Sequence, residues 1–153
     1  MTGREPKTEN DLFFACSLIE RIARMTKNHR GDVVRALGPS ELGRLLSLAD
    51  VLHCEPLEKV AEELIEKFAI TEGAFDNVAE CRYTVPSAFD IGKVYKRLTV
   101  AVARHDGIPF ADALIRVYTS WLSPHIDNYN SSMFYASPDY LFQSWQAGEP
   151  LRD

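Results

Sequence analysis

The sequence predicts an all-α protein: a single compact bundle of about six or seven helices, with an irregular segment near residues 71–89. Two observations predict it. Apolar residues recur at three- and four-residue steps along most of the chain, the spacing that puts them on one face of a helix. Serine, proline and glycine stand where helices would start and stop.

The first stripe is Leu12, Cys16, Ile19 and Ile22/Ala23, with Glu20, Arg21 and Arg24 off it, and predicts a core-facing helix from Asn10 to about Met25. A short helix "DVVRAL" follows, with Asp32 as its cap and Gly38 in the left-handed turn at its end. Pro39-Ser40 opens a third, with Ser40 as cap and Leu42, Leu45, Leu46, Ala49 and Leu52 buried. A fourth starts near Pro56, which suits a first turn because its missing N–H needs no partner there. It turns Leu57, Val60, Ala61, Leu64, Ile65 and Phe68 inward. Periodicity fails over 71–89, where "CRYTV" reads as a short extended stretch or a lone strand without a partner. It returns from Asp90 through Ile91, Val94, Tyr95, Leu98, Ala101 and Val102, and Gly107 ends that helix. Pro109 opens the next, with Phe110, Ala113, Leu114, Val117, Tyr118 and Trp121 apolar, until Pro124 breaks or kinks it. Last, "SPDYLFQSWQAG" carries Ser137 as cap, Pro138 at the first position and Gly148 as stop. Residues 1–9 and 149–153 read as loose ends of one domain spanning 1–153.

At 153 residues, with 46% apolar and 25% charged side chains, the chain has the size and composition of one globular domain. A net charge of −5 offers little to a polyanion, so nucleic acid is not an expected partner. No segment has the eighteen or so uninterrupted apolar residues of a membrane span, and the polar start "MTGREPKTEND" is not a secretory signal. Three widely spaced cysteines, Cys16, Cys54 and Cys81, do not make a disulfide framework. Cys16 and Cys54 sit in helix-patterned surroundings where a thiol acts as a small hydrophobe. The consistent compartment is a reducing cytoplasm.

No complete catalytic or metal motif is present. Residues 32–52 have the outline of a helix-turn-helix, but the positions expected to be exposed are Glu41, Arg44, Ser47 and Asp50, a poor set for reading DNA. A plain helical hairpin accounts for them better. "HCE" at 53–55 and "HID" at 125–127 lack the further ligands that a metal site needs, so no metal or other cofactor is expected. Ser123, His125 and Asp127 have the residue types of a triad without a glycine elbow to present the serine. Cys81 beside Arg82 would be a reactive thiol only if exposed.

Charge is unevenly spread. Residues 51–80 carry eight acids against Lys59 and Lys67, while 81–105 carry Arg82, Lys93, Lys96, Arg97 and Arg104 against Asp90 alone. Glu55, Glu58, Glu62 and Glu66 make an acidic ridge, and Lys93, Arg97 and Arg104 a basic one; the two either neutralise each other or serve as docking faces. The stretch "DNYNSSMFYASPDY" (127–140) concentrates aromatics and amides. Plugging the end of the helical core is its first reading, and a recognition surface its second.

The segments "ACSLIERIARM" (15–25) and "LADVLHCEPLEKVAEELIEK" (48–67), with "FDIGKVYKRL" (89–98) and "DNYNSSMFY" (127–135), resemble parts of small bacterial protein families of unknown function, with relatives in gut bacteria. In these a "C-x-x-I-E" helix precedes a helix ending "D-V-L-H". Such families are similar to the small partners encoded in toxin–antitoxin or mobile-element clusters, which implies a protein-binding role and assigns no catalytic residue. The expected function is therefore a non-enzymatic protein-binding module, antitoxin-like in its sharpest form, acting on another protein or on a second copy of itself. The alternative is a small enzyme or nucleotide- or metabolite-binding protein. Its site would lie around 121–140, drawn from Trp121, His125, Asp127, Tyr129, Asn130 and Tyr135, with Arg97 gripping a phosphate.

Overall fold

A computed structural model describes residues 6–52 and 54–151. Among them lie eight α-helices: α1 (Lys7–Thr26), α2 (Arg30–Leu52), α3 (Leu57–Lys67), α4 (Asn77–Glu80), α5 (Ala88–Asp106), α6 (Phe110–Tyr118), α7 (Leu122–Ile126) and α8 (Pro138–Ala147). A single 3-10 turn, Met133–Tyr135, precedes α8, and no strand forms among these residues, so "CRYTV" is irregular backbone. The all-α bundle is therefore observed, with α4 and α7 as one-turn additions to six longer helices.

Helices α1 and α5 form the central pair; α2 and α3 pack on α1, α6 on α5 and α2, and α8 on α5. Leu12, Cys16, Ile19, Ile22 and Ala23 of α1 meet Ile91, Tyr95, Leu98 and Val102 of α5 in one core, all but fully buried. The crossing is close because α5 has a glycine there. A Cβ on Gly92 would lie 2.9 Å from the Ser17 nitrogen and 3.0 Å from its Cα. Gly92→Ala must push the two helices apart, and a loss of about 1–3 kcal/mol is expected. Urea unfolding checks it: an unchanged midpoint would mean that the interface yields without cost.

Several ends are set as their residues imply. Ser87 caps α5 through a full capping box with Asp90, and Gly107 closes it in the left-handed conformation. Ser137 caps α8, Pro138 follows it, and Gly148 ends it at φ 76°.

Other expectations are corrected. The two segments of α2 join through one non-helical residue, Gly38 (φ 79°), not through a hairpin loop. Asp32 lies inside the first turn of α2 and bonds Arg35, because that helix already starts at Arg30. Glu41 is buried, held by Arg44 and Lys67, so it is not an exposed position of a reading helix. The break after α6 falls at 119–121. Pro124 sits in the first turn of α7, where a missing N–H costs nothing. Cys16 is buried as expected, whereas Cys54 is exposed beyond the end of α2. Of the residues read as loose ends, Lys7 already belongs to α1 and bonds Asp11, and Leu151 is tied to Tyr140 and Ser144. His53 lies outside the described residues.

The acidic and basic ridges do not meet. Both helices pack on α1, and their ion pairs reach α1: Arg21 to Glu58 at 3.8 Å on one side, Glu9 to Arg104 at 2.7 Å on the other. Glu62, Glu63 and Glu66 of α3 and Lys93 and Arg97 of α5 remain exposed.

Candidate functional site

Polar side chains gather where the α1–α2 turn, the strap before α4, the middle of α5 and the α7 end converge. From α1, Glu20 is fully buried; from α2, so is Arg30. Arg30 grips Glu20 as a fork, Nε to Oε1 at 2.9 Å and Nη2 to Oε2 at 2.7 Å. Arg24 adds a 2.6 Å bond from the solvent side, and the Tyr129 hydroxyl donates to the same carboxylate. Burial alone would raise the Glu20 carboxyl; the bonds and charges of Arg30, then Arg24, outweigh it and hold it below the usual carboxylate range.

The strap crosses this pair. Gly73 and Phe75 donate their backbone N–H groups to the carbonyls of Thr26 and Lys27, each at 2.8 Å. That pairing places the Phe75 ring 5.7 Å from the Arg30 guanidinium carbon and stacks it on His29 at 4.0 Å. Arg30 is thus sealed between Glu20 below and an aromatic ring above.

Asp127, the residue that closes α7, is 1% exposed. Tyr95 donates its phenol proton to Oδ1 at 2.6 Å, which leaves the 2.7 Å contact between Tyr95 and Ser123 Oγ for the serine proton. Ser123 also lies 3.4 Å from Oδ2. Burial is the main influence on Asp127; Arg30 lowers it, Glu20 raises it, and the result is a carboxyl pushed up to about 7. Two clefts flank it. One, of about 180 Å³, is lined by His29, Arg35, Tyr118, Ser120 and Ser123; the other, of about 250 Å³, by Phe75, Asn77, Glu80, Asn128 and Tyr129. Asp127 and Pro124 wall both.

No family model matches this chain, and no curated protein or solved structure is similar to it. Function has to be read from the geometry.

The predicted site residues divide. Asp127 and Tyr129 join the buried network, and Asn130 lines the second cleft. Its amide braces irregular backbone, accepting from the Arg82 N–H at 2.8 Å and donating to the Glu80 carbonyl at 3.0 Å. His125 is exposed and lies edge-on to the half-buried Trp121 at 5.6 Å, and it makes no hydrogen bond to Asp127 among the described residues. Ser123 and Asp127 therefore meet without the histidine, and no triad forms. Tyr135 is 71% exposed. Arg97 is exposed on α5, two residues and some 200° around the helix from inward-facing Tyr95, so it cannot grip a phosphate held near Asp127. Cys81 is half-buried, its thiol donating to the Tyr83 carbonyl. Among the described residues no three metal-ligating side chains come together.

Sequence reasoning missed Glu20, Arg30 and Tyr95. The first two are charges ten residues apart across a turn, with no local pattern to mark them as partners. Tyr95 was legible only as a core aromatic.

A further hollow lies elsewhere: an open groove of about 680 Å³ between the start of α1, the second segment of α2 and the α5–α6 turn. Leu46, Ile108, Pro109, Phe110 and Ala111 make its apolar floor, and Lys7, Asp11 and Ser47 its edge. Leu48 and Val51 are exposed further along α2, Val51 at 68%.

Proposed function

We propose that this chain works by binding another protein, without catalysis, and that the groove between α2 and the start of α6 takes an amphipathic helix of that partner. The observation that carries the reading is the apolar floor of that groove, which is larger than either cleft beside Asp127. Leu46, Ile108 and Phe110 are only half-buried there, and burying such surface drives association. The charges around it favour a basic flank on the partner: Asp11, Asp50 and exposed Asp112 outnumber Lys7, which already bonds Asp11 and Asp50. An antitoxin-like pairing in a bacterial cytoplasm is the biological form that the resemblance of the sequence implies.

The test uses a synthetic amphipathic Leu/Lys helix, with a Leu/Glu helix of equal length as control, in an amide chemical-shift titration. The Leu/Lys peptide should move Gly43, Leu46, Ser47 and Ala111 saturably and the control should not. Leu46→Glu and Phe110→Glu, at half-buried positions, should weaken binding at least about tenfold. Equal responses to both peptides, or shifts centred elsewhere, would refute the groove. Native co-purification of a stoichiometric protein that is lost in Phe110→Glu would identify the partner.

A further inference from the structure

We propose that, while no partner fills it, the groove takes a second copy of this chain, docked head to tail through the outer face of its α5 with Phe89 as the anchor. The inference rests on the groove reading above and names the competitor that a partner helix must displace.

The first observation is a patch that matches what the groove asks for. Phe89 is 53% exposed at the start of α5, and its ring lies 6.0 Å from that of half-buried Phe13 on α1. Lys93 and Arg97 follow at four-residue steps, so the ring and the cations share one stripe. Both cations are exposed and have no ion pair among the described residues. An aromatic anchor with a basic flank is thus already present on this chain's own surface.

The groove is its complement. Its floor leaves Leu46, Ile108 and Phe110 half-buried, and Asp11, Asp50 and exposed Asp112 surround it against Lys7 alone. A Phe89 ring seated on that floor puts Lys93 and Arg97 roughly one and two helical turns away, toward the acidic rim. Opposite charge at the edge then fixes orientation, while the buried rings supply the drive.

The two surfaces cannot meet within one chain. On α1 the groove edge is Lys7 and Asp11, whereas the stripe begins at Phe13. Asp11 and Phe13 stand two residues apart, some 200° around the helix, so groove and stripe face opposite ways. Each copy therefore offers one groove and one stripe. Such a contact is heterologous, and association runs on from copy to copy instead of stopping at a symmetric pair.

The experiment is sedimentation equilibrium of the full chain from about 10 µM to about 1 mM, in low and high salt. The mean mass should rise reversibly toward the top of the range, and less in high salt. Phe89→Glu, at an exposed position, and Phe110→Glu should each stay monomeric. Mixed together they should form a one-to-one pair and nothing larger, since the first keeps its groove and the second its stripe. Asp50→Lys/Asp112→Lys, at exposed positions, should weaken association at least about tenfold and keeps the test open should Phe110→Glu misfold. A wild type that is monomeric at about 1 mM in low salt overturns the proposal, as does a mixture that forms no pair. So does association that survives Phe110→Glu but is lost in Glu62→Lys/Glu66→Lys, which would seat the stripe on the acidic ridge of α3. The Leu/Lys peptide tells the two readings apart. If Phe89→Glu binds it at Gly43, Leu46, Ser47 and Ala111 while the wild type does not self-associate, the second copy is ruled out and the groove stands. If the peptide binds elsewhere or nowhere, the groove falls and this inference with it.

Discussion

Arg30→Met should destabilise the chain by about 3–5 kcal/mol, the loss expected when one partner of a buried ion pair is removed. Arg30 is fully buried, and its fork on Glu20 supplies two of that carboxylate's bonds. Without it, Glu20 keeps only Arg24 and the Tyr129 hydroxyl. Burial, the largest influence on Glu20, then prevails and drives its carboxyl up. Two further measurements separate this from lost packing. The double variant Glu20→Met/Arg30→Met removes both charges and should recover at least about half of the loss, since a buried pair often contributes little over an apolar substitute of similar volume. Arg30→Lys keeps the charge without the planar fork and should fall between wild type and Arg30→Met. Urea midpoints at constant m give all three values. A single Arg30→Met as stable as wild type would show that the pair is idle.

That pair also marks the limit of what the sequence reveals. The stripe Leu12, Cys16, Ile19, Ile22 is written in local spacing, and α8 carries its own start and stop at Ser137, Pro138 and Gly148. Each of those features is decided within a turn or two of helix. Glu20 was read as off the core stripe, yet it is buried. Nothing in the spacing around it tells an outward glutamate from one that meets an arginine after a chain reversal. The same holds for Tyr129, whose partners Glu20, Arg24 and Arg30 lie about a hundred residues away in the chain. Asp127 and Asn130 were legible as candidates because polar residues crowd 127–131. The strap at 71–76 was legible only as a failure of pattern, so its cover over Arg30 stayed hidden. Charge asymmetry was plain in the sequence. That the two ridges sit on separate helices packed on α1 is a tertiary fact.

The second large effect is a dependence on pH set at Asp127. Its folded-state carboxyl titrates near 7, raised from an ordinary 3.8 chiefly by burial. Between those values the folded chain holds a proton that the unfolded chain has released. Stability from this group is therefore full below about pH 4 and is lost as pH rises through 7, by an amount on the order of a few kcal/mol. Glu20 acts in the opposite sense: its depressed value gives stability present above about 4.5 and lost as the medium turns more acidic. Arg30, which lowers Asp127, and the Tyr95 phenol keep their protons throughout this range, so the two carboxylates act in separate windows. Asp127→Asn removes one of them. Its amide oxygen still accepts from Tyr95 and its NH₂ can donate to Ser123, so the network stays satisfied while the charge goes. The variant should therefore be more stable than wild type at about pH 8 by roughly 1–3 kcal/mol, equal or weaker near pH 5, and flat between. Urea unfolding at four pH values measures it, and a wild-type curve that rises from pH 5 to 8 would refute the assignment.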